Sequence, residues 1–186
     1  PGAVDAGGVV IPPDERTRIV ARYHRGAKGL APMPGDPHEA EARYLSGGGG
    51  LVTTISDYAR FVQALLDGGV PILTPASVRA MTRNQIGDIF VETQQSSDLS
   101  ASLPFPFGAG RDKFGFAFQI ASDPEKPFLR SAGSYSWSGS YNTHFWVDPG
   151  RQVAVVVMMQ FTPFYDDRCM KLIAAIEEAV GRALPR

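Results

Sequence analysis

The chain has 186 residues, with 18 lysines and arginines against 19 aspartates and glutamates, for a formal net charge of −1. That length holds one domain with a real core and little room for two, and the charge balance gives no pull towards nucleic acid or anionic lipid. The lone cysteine, Cys169, excludes an internal disulfide and a cysteine-rich metal site, and the longest strongly apolar run, VAVVVMM at 153–159, is far too short to span a bilayer. The opening PGAVDAGGVVIPPDE has neither the basic nor the long apolar region of a signal peptide.

Residues 1–50 are rich in glycine and proline and read as a mostly irregular arm, with one short strand candidate in TRIVARYHR. From Thr54 the pattern changes. Ile55, Tyr58, Phe61, Val62, Leu65 and Leu66 share a helical face, Thr54 with Asp57 forms a capping-box-like start, and Gly68-Gly69 is a natural stop. A second, shorter helix begins at Thr74-Pro75, with Pro75 at the first helical position. These two make a helical segment over 54–85. Residues 86–113 lack sustained periodicity and read as a long loop with at most one short strand.

Antiparallel strands are expected over 114–159: FGFAFQIA at 114–121, FLRSAGSYSW at 128–137, then YNTHFWVD and QVAVVVMM around the turn signal Pro149-Gly150-Arg151. The last strand is apolar on both alternations, which implies a sheet covered on two faces. A helix over 165–184, with Met170, Ile173, Ile176, Val180 and Leu184 in one stripe and Asp166-Asp167 at its start, supplies one cover. For the other face this chain offers a poor cover, so a missing half is expected. The fold class is therefore α/β (α+β), an antiparallel sheet flanked by helices.

Several chemistries fail on residue type and spacing. The run Gly47 to Gly50 has no P-loop lysine, and Thr53 stands where a dinucleotide fingerprint needs its third glycine, so the run reads as backbone at positive φ or in tight packing. His24, His38 and His144 are scattered without metal-ligand spacing and read as surface or hydrogen-bonded structural residues. Ser140, His144 and Asp148 share one strand face, but members four apart on a strand are separated by about 13 Å. A nucleophile and its base need about 3 Å. No metal or cofactor is implied.

Taken in order, SGGGGLVTTISDYARFVQALLDGG, ILTPASVRAMTRNQ, FGFAF and SYSWSGSYNTHFWVDPGRQVAVVVMMQ resemble the C-terminal half of serine beta-lactamase-related hydrolases: class C beta-lactamases, D-alanyl-D-alanine peptidases and family VIII carboxylesterases. The resemblance covers nearly the whole chain, the arm ERTRIVARYHRG included, and implies a partial beta-lactamase/penicillin-binding-protein-like fold, with residues 1–186 as a single C-terminal portion of the domain. It also implies acyl-enzyme chemistry carried by three sequence boxes. The first, S-x-x-K, is absent, because Arg25, Gly110, Asp123 and Arg168 stand three residues before Lys28, Lys113, Lys126 and Lys171. The second, Y-x-N, is absent too; Ser140-Tyr141-Asn142 matches its S-x-N variant but lies after the third box, and reads as a chance match.

The third box, [KH]-[ST]-G, maps onto Trp137-Ser138-Gly139. Tryptophan in place of the cation is esterase-like within this superfamily. The resemblance makes Trp137, Ser138 and Gly139 a substrate-binding wall and gives the N–H of Ser140 to the oxyanion. The bland alternative is a serine- and aromatic-rich strand with a glycine bulge. Two functions follow. One is the C-terminal half of a serine hydrolase acting on a small ester or amide, with its nucleophilic Ser and Lys outside this chain. The other is a non-catalytic member that binds a ligand or partner. Self-association, or pairing with the missing N-terminal half, is expected, and neither nucleic acid nor a membrane span is.

Overall fold

The computed structural model describes residues 4–5, 8–9, 11, 14–34, 52–122 and 129–184. The glycine run at 47–50, with the backbone reading placed on it, and His38 lie outside the described residues.

The arm is more ordered than its composition suggests. Short strands β1 (Val4–Asp5) and β2 (Gly8–Val9) pair with each other, and β3 (Tyr23–Gly26) forms an antiparallel hairpin with β4 (Gly29–Pro32). The strand expected in TRIVARYHR is confined to its end, because Arg16–Arg18 wind into a 3-10 turn first. β3 also pairs in parallel with β10 (Phe161–Thr162), which ties the arm to the far end of the chain.

Helix α1 spans Ile55–Leu66. Thr54 caps it by accepting the N–H of Asp57 at 3.2 Å, while the Asp57 carboxylate accepts the Thr54 hydroxyl at 2.9 Å. The shorter acid bonds the capping hydroxyl instead of reaching back to the Thr54 backbone. That bond is the main reason the Asp57 carboxyl is held below its ordinary pKa. Helix α2 is limited to Pro75–Met81, capped by Thr74.

The main sheet is antiparallel throughout, in the order β5 (Lys113–Phe114), β6 (Gln119–Ile120), β7 (Tyr135–Gly139), β8 (Thr143–Asp148), β9 (Val153–Val157). The expected single strand over 114–121 is therefore two short strands and a turn. The break is made by α2: the Met81 carbonyl accepts the N–H of Phe116 at 3.0 Å, and a Cβ on Gly115 would sit 1.9 Å from that carbonyl oxygen. The second strand starts at Tyr135 rather than near 128, since residues 132–133 turn to bring the N–H of Gly133 onto Ala121 O at 2.9 Å.

Both faces of the sheet are covered by this chain, which corrects the expected shortfall. Tyr135, Trp137, Phe145, Val147, Ala154 and Val156 pack with Val62 and Leu65 of α1 and Val78 of α2. The apolar stripe of α1 is that second cover. On the opposite face lies α3 (Asp167–Ala183), whose Cys169, Met170 and Ile173 pack with Phe164, Tyr165 and Val157. Asp166 caps α3 by accepting the N–H groups of Arg168 and Cys169 at 3.1 and 3.2 Å, and pairs with Arg25 of β3 at 2.8 Å.

Candidate active site

The end of β7 is unlike the rest of the sheet. β6 pairs with Tyr135 and Ser136 and goes no further, so Trp137, Ser138 and Gly139 have a strand partner on one side, β8, and none from β6 on the other. The direction of the backbone there follows from period two. Ser134 turns its carbonyl to the β6 side, where Ala121 N–H donates to it at 2.8 Å. Alternate residues of an antiparallel strand turn their N–H and C=O to the same neighbour. Ser136 and Ser138 therefore face that side, and Ser140, the next in the series, leaves the strand there as an exposed residue.

Two side chains, Trp137 and Ser138, tie this strand end to its surroundings. Trp137 stands edge-on to Phe114, with ring centroids 5.2 Å apart, and packs on the α1–α2 core. Ser138 points to the α3 face, where it lines a cleft together with Tyr165. The Tyr165 hydroxyl accepts the N–H of Phe107 at 3.2 Å, and burial pushes its pKa up. Trp137 and Ser138 line this cleft with Phe107, Gln119, His144 and Tyr165.

Gly139 is not explained by packing among the described residues. Its φ is not in the left-handed region, and an added Cβ would meet only Thr143, at 3.8 Å from the Cβ and 4.0 Å from the carbonyl oxygen. The bulge reading of this glycine fits poorly, since Gly139 stays in register with Thr143.

The turn that carries Ser140 is held by Asn142. This residue is fully buried at φ +62° and donates its N–H to Gly139 O at 2.9 Å. Its Nδ2 donates to Phe161 O at 2.9 Å and Pro163 O at 2.8 Å, and its Oδ1 accepts the N–H of Tyr165 at 2.8 Å. Every polar function of the side chain is used on backbone. The S-x-N triplet is thus a turn clamp, in keeping with its reading as a chance match.

Ser140, His144 and Asp148 form no triad. His144 Nε2 lies 4.0 Å from Cys169 Sγ on the buried face, with its pKa driven down to about 4 by burial and by the Arg130 charge. Asp148 accepts the N–H groups of Ser131 and Arg151 at 2.8 and 3.1 Å. His24 is a structural residue, its Nδ1 3.0 Å from Thr162 Oγ1. Lys113 sends its ammonium to the carbonyls of Gly87 and Ile89, at 3.0 and 2.8 Å, and over the Phe90 ring. Among the described residues no group of three or more His, Cys, Asp and Glu could hold a metal ion, and no helix is long and apolar enough to cross a membrane.

Phe107, Phe114 and Tyr165 were not legible as site residues. They come from a loop, a short strand and the approach to α3, and nothing in their spacing connects them. Asn142 did carry a signal, an asparagine suited to positive φ after SGSY, but it points to a turn and not to a role.

The family described as Beta-lactamase matches residues 8–179. Two curated proteins of Mycobacterium tuberculosis, the uncharacterized protein MT1414 and the protein Rv1367c, are each 36% identical over 137 residues, covering 69% of this chain and 32% of their own length. The chain therefore spans about a third of the length of these curated relatives. Among solved structures, the LovD6 mutant of simvastatin synthase (LovD) from Aspergillus terreus superposes with a TM-score of 0.76 at 21% identity, over 91% of this chain and 44% of that one. EstCE1, described as a hydrolase with promiscuous acyltransferase activity, gives 0.60 at 22% identity, over 87% and 43%. At these identities the two structures speak for the fold.

Proposed function

We propose that this chain, which belongs to the beta-lactamase family, is the C-terminal half of a serine hydrolase that acts on small esters or amides through an acyl-enzyme. The observation that carries the reading is the edge of β7 at Ser138 and Ser140, which β6 leaves unpaired, beside a glycine that packing among the described residues does not require. A planar acyl group laid along that edge meets backbone donors and no Cβ at position 139. A serine supplied by sequence outside this chain attacks the carbonyl carbon, and the oxygen that gains the charge accepts the N–H of Ser140. Collapse of the intermediate expels the alcohol or amine, and water then releases the acid. One such donor is worth ~3 kcal/mol in acyl transfer. The apolar Trp137–Phe114 pair, where the family places a cation, favours esters over substrates that carry a carboxylate at that point.

The edge of β9 supports pairing with the upstream half. Among the described residues β9 is an edge strand of five residues, VAVVV, paired with β8 on one side and with no strand on the other. Its two faces are already covered, so what it lacks is a strand neighbour. The second reading is a non-catalytic ligand- or partner-binding member of the same family. Sequence upstream of Pro1 separates the two. A serine followed three residues later by lysine, labelled by a fluorophosphonate in the joined protein, supports the hydrolase. Failure of any serine to label supports the binder.

A further inference from the structure

The edge of β7 that β6 leaves unpaired is flanked by an aromatic pair on each face of the sheet. On the α1–α2 face Trp137 stands at 85° to Phe114, with ring centroids 5.2 Å apart. On the α3 face Phe107 is tilted at 58° to Tyr165, with centroids 5.4 Å apart. Trp137, Phe107 and Tyr165 line one cleft, together with Ser136 and Ser138 of the strand. Phe107 differs from the ring beneath it in exposure: it is 47% exposed, and Tyr165 is 9% exposed. A single exposed phenylalanine is ordinary on a protein surface. This one is fixed through both of its backbone groups. Its N–H donates to the Tyr165 hydroxyl at 3.2 Å, and its carbonyl accepts the Nε2 of Gln119, which pairs with Ser136 in the sheet. The ring is therefore presented to the cleft by residues that themselves line it.

We propose that Phe107 is a specificity-determining residue that selects an aromatic ring on the acyl group, so that the substrates are arylacetic esters and amides. The inference rests on the hydrolase reading above, which lays the acyl group along the β7 edge. A flat ring carried by that group enters the cleft beside Ser138 and covers the exposed Phe107 ring. Aromatic rings favour tilted and edge-on contacts with centroids about 4.5–7 Å apart, and the two pairs already present are of that kind. A saturated ring buries comparable apolar area but has no quadrupole to match the edge or face of Phe107. The preference for an aryl group over a cycloalkyl group of the same carbon count is therefore the signature of this ring, distinct from general apolarity. Phe107 takes no part in bond making, which stays with the serine outside this chain and the N–H of Ser140. Its contact is made equally in the bound ester and in the transition state. Loss of such a contact raises KM and leaves kcat.

The test compares ethyl phenylacetate with ethyl cyclohexylacetate on the protein joined to its upstream sequence, with acid release followed by pH-stat. The parent should favour the phenylacetate in kcat/KM by at least ~3-fold, the scale of one aromatic contact, with the difference in KM. Phe107→Leu, which keeps an apolar side chain at an exposed position, should erase that preference by raising KM for the phenylacetate. Its kcat for both esters and its unfolding midpoint should match the parent's. A second readout needs no turnover: 2-phenylethanol, which has no bond to hydrolyse, should shift the Phe107 ring and Ser138 amide resonances of the joined protein. It should bind at least ~3-fold more tightly than 2-cyclohexylethanol, and Phe107→Leu should lose the difference. Binding of 2-phenylethanol in this way by a joined protein that turns over neither ester overturns the hydrolase reading and supports the aromatic subsite. Turnover of both esters with no preference for the phenyl ring overturns the subsite and leaves the hydrolase reading. A preference that survives Phe107→Leu, or a failure of 2-phenylethanol to shift either resonance, overturns the subsite as well.

Discussion

The Oδ1 of Asn142 accepts the backbone N–H of Tyr165 at 2.8 Å, and through that bond the turn after β7 and the approach to α3 are one rigid piece. The same side chain holds the carbonyls of Phe161 and Pro163, so nothing of it is left over for a ligand. Asn142→Ala removes one acceptor and two donors from a fully buried position and leaves three backbone groups short of a bond. Each such loss costs about 1–3 kcal/mol, and alanine tolerates the +62° φ less well than asparagine. Urea denaturation should show Asn142→Ala destabilised by ~2–4 kcal/mol. A change below about 0.5 kcal/mol, the usual size for a surface substitution, contradicts the clamp.

His144 gives the fold an acid-side weakness with a definite sign. Its folded-state pKa is about 4, against 6.5 for the ordinary group, because burial and the Arg130 charge both oppose protonation. Above pH 6.5 the imidazole is neutral folded or unfolded and pH has no effect through it. Between 6.5 and about 4 the unfolded chain binds a proton that the folded chain does not, so stability falls as pH falls. The loss amounts to ~2–3 kcal/mol across that window. Denaturation midpoints of the parent and of His144→Asn, compared at pH 7 and pH 4.5, should show a smaller drop for the variant. Equal drops contradict the assignment.

The sheet has its own second cover in α1. Leu65 is 2% exposed in the cluster that includes Phe145 and Val147. Leu65→Ala should cost ~2–5 kcal/mol, the range for a buried leucine in a core that cannot collapse, as read by thermal or urea unfolding. A cost under 1 kcal/mol would mean that α1 does not seal the sheet as described.

How far the sequence reaches is shown by α1 and β6. The cap at Thr54, the apolar stripe to Leu66 and the hairpin around Pro149-Gly150 are local features, set by neighbours three, four or two residues away, and they were legible. What α1 packs against is set by chain topology, and period alone does not reveal that its stripe covers Phe145 and Val147 some eighty residues on. The break in 114–121 has the same origin: the alternation there suits a continuous strand, and the carbonyl that splits it belongs to Met81. At the candidate site the box Trp137-Ser138-Gly139 was legible as a motif. The open β7 edge beside it depends on where β6 stops, and the Tyr165 and Phe107 contacts depend on a loop with no period of its own.

Gly139 offers a clean separation of fold from chemistry. Valine suits a strand, and among the described residues a Cβ there meets only Thr143, at ordinary contact distance. In the protein joined to its upstream sequence, Gly139→Val should leave the unfolding midpoint within about 0.5 kcal/mol of the parent. It should lower kcat/KM for a short-chain ester by ~100-fold, the scale of losing one oxyanion contact. A variant with unchanged turnover would remove the acyl group from this edge.

The central claim is that this chain holds one wall and one oxyanion donor of a site whose nucleophile lies elsewhere, and catalytic groups of that kind act as a unit. The most direct measurement is active-site titration with a short-chain nitrophenyl ester and a chromogenic cephalosporin, on residues 1–186 alone and on the same residues joined to their upstream sequence. The account predicts no burst and no turnover of either compound by the chain alone, and a stoichiometric burst with ester turnover exceeding cephalosporin turnover in the joined protein. A stoichiometric burst from the 186-residue chain by itself would contradict it.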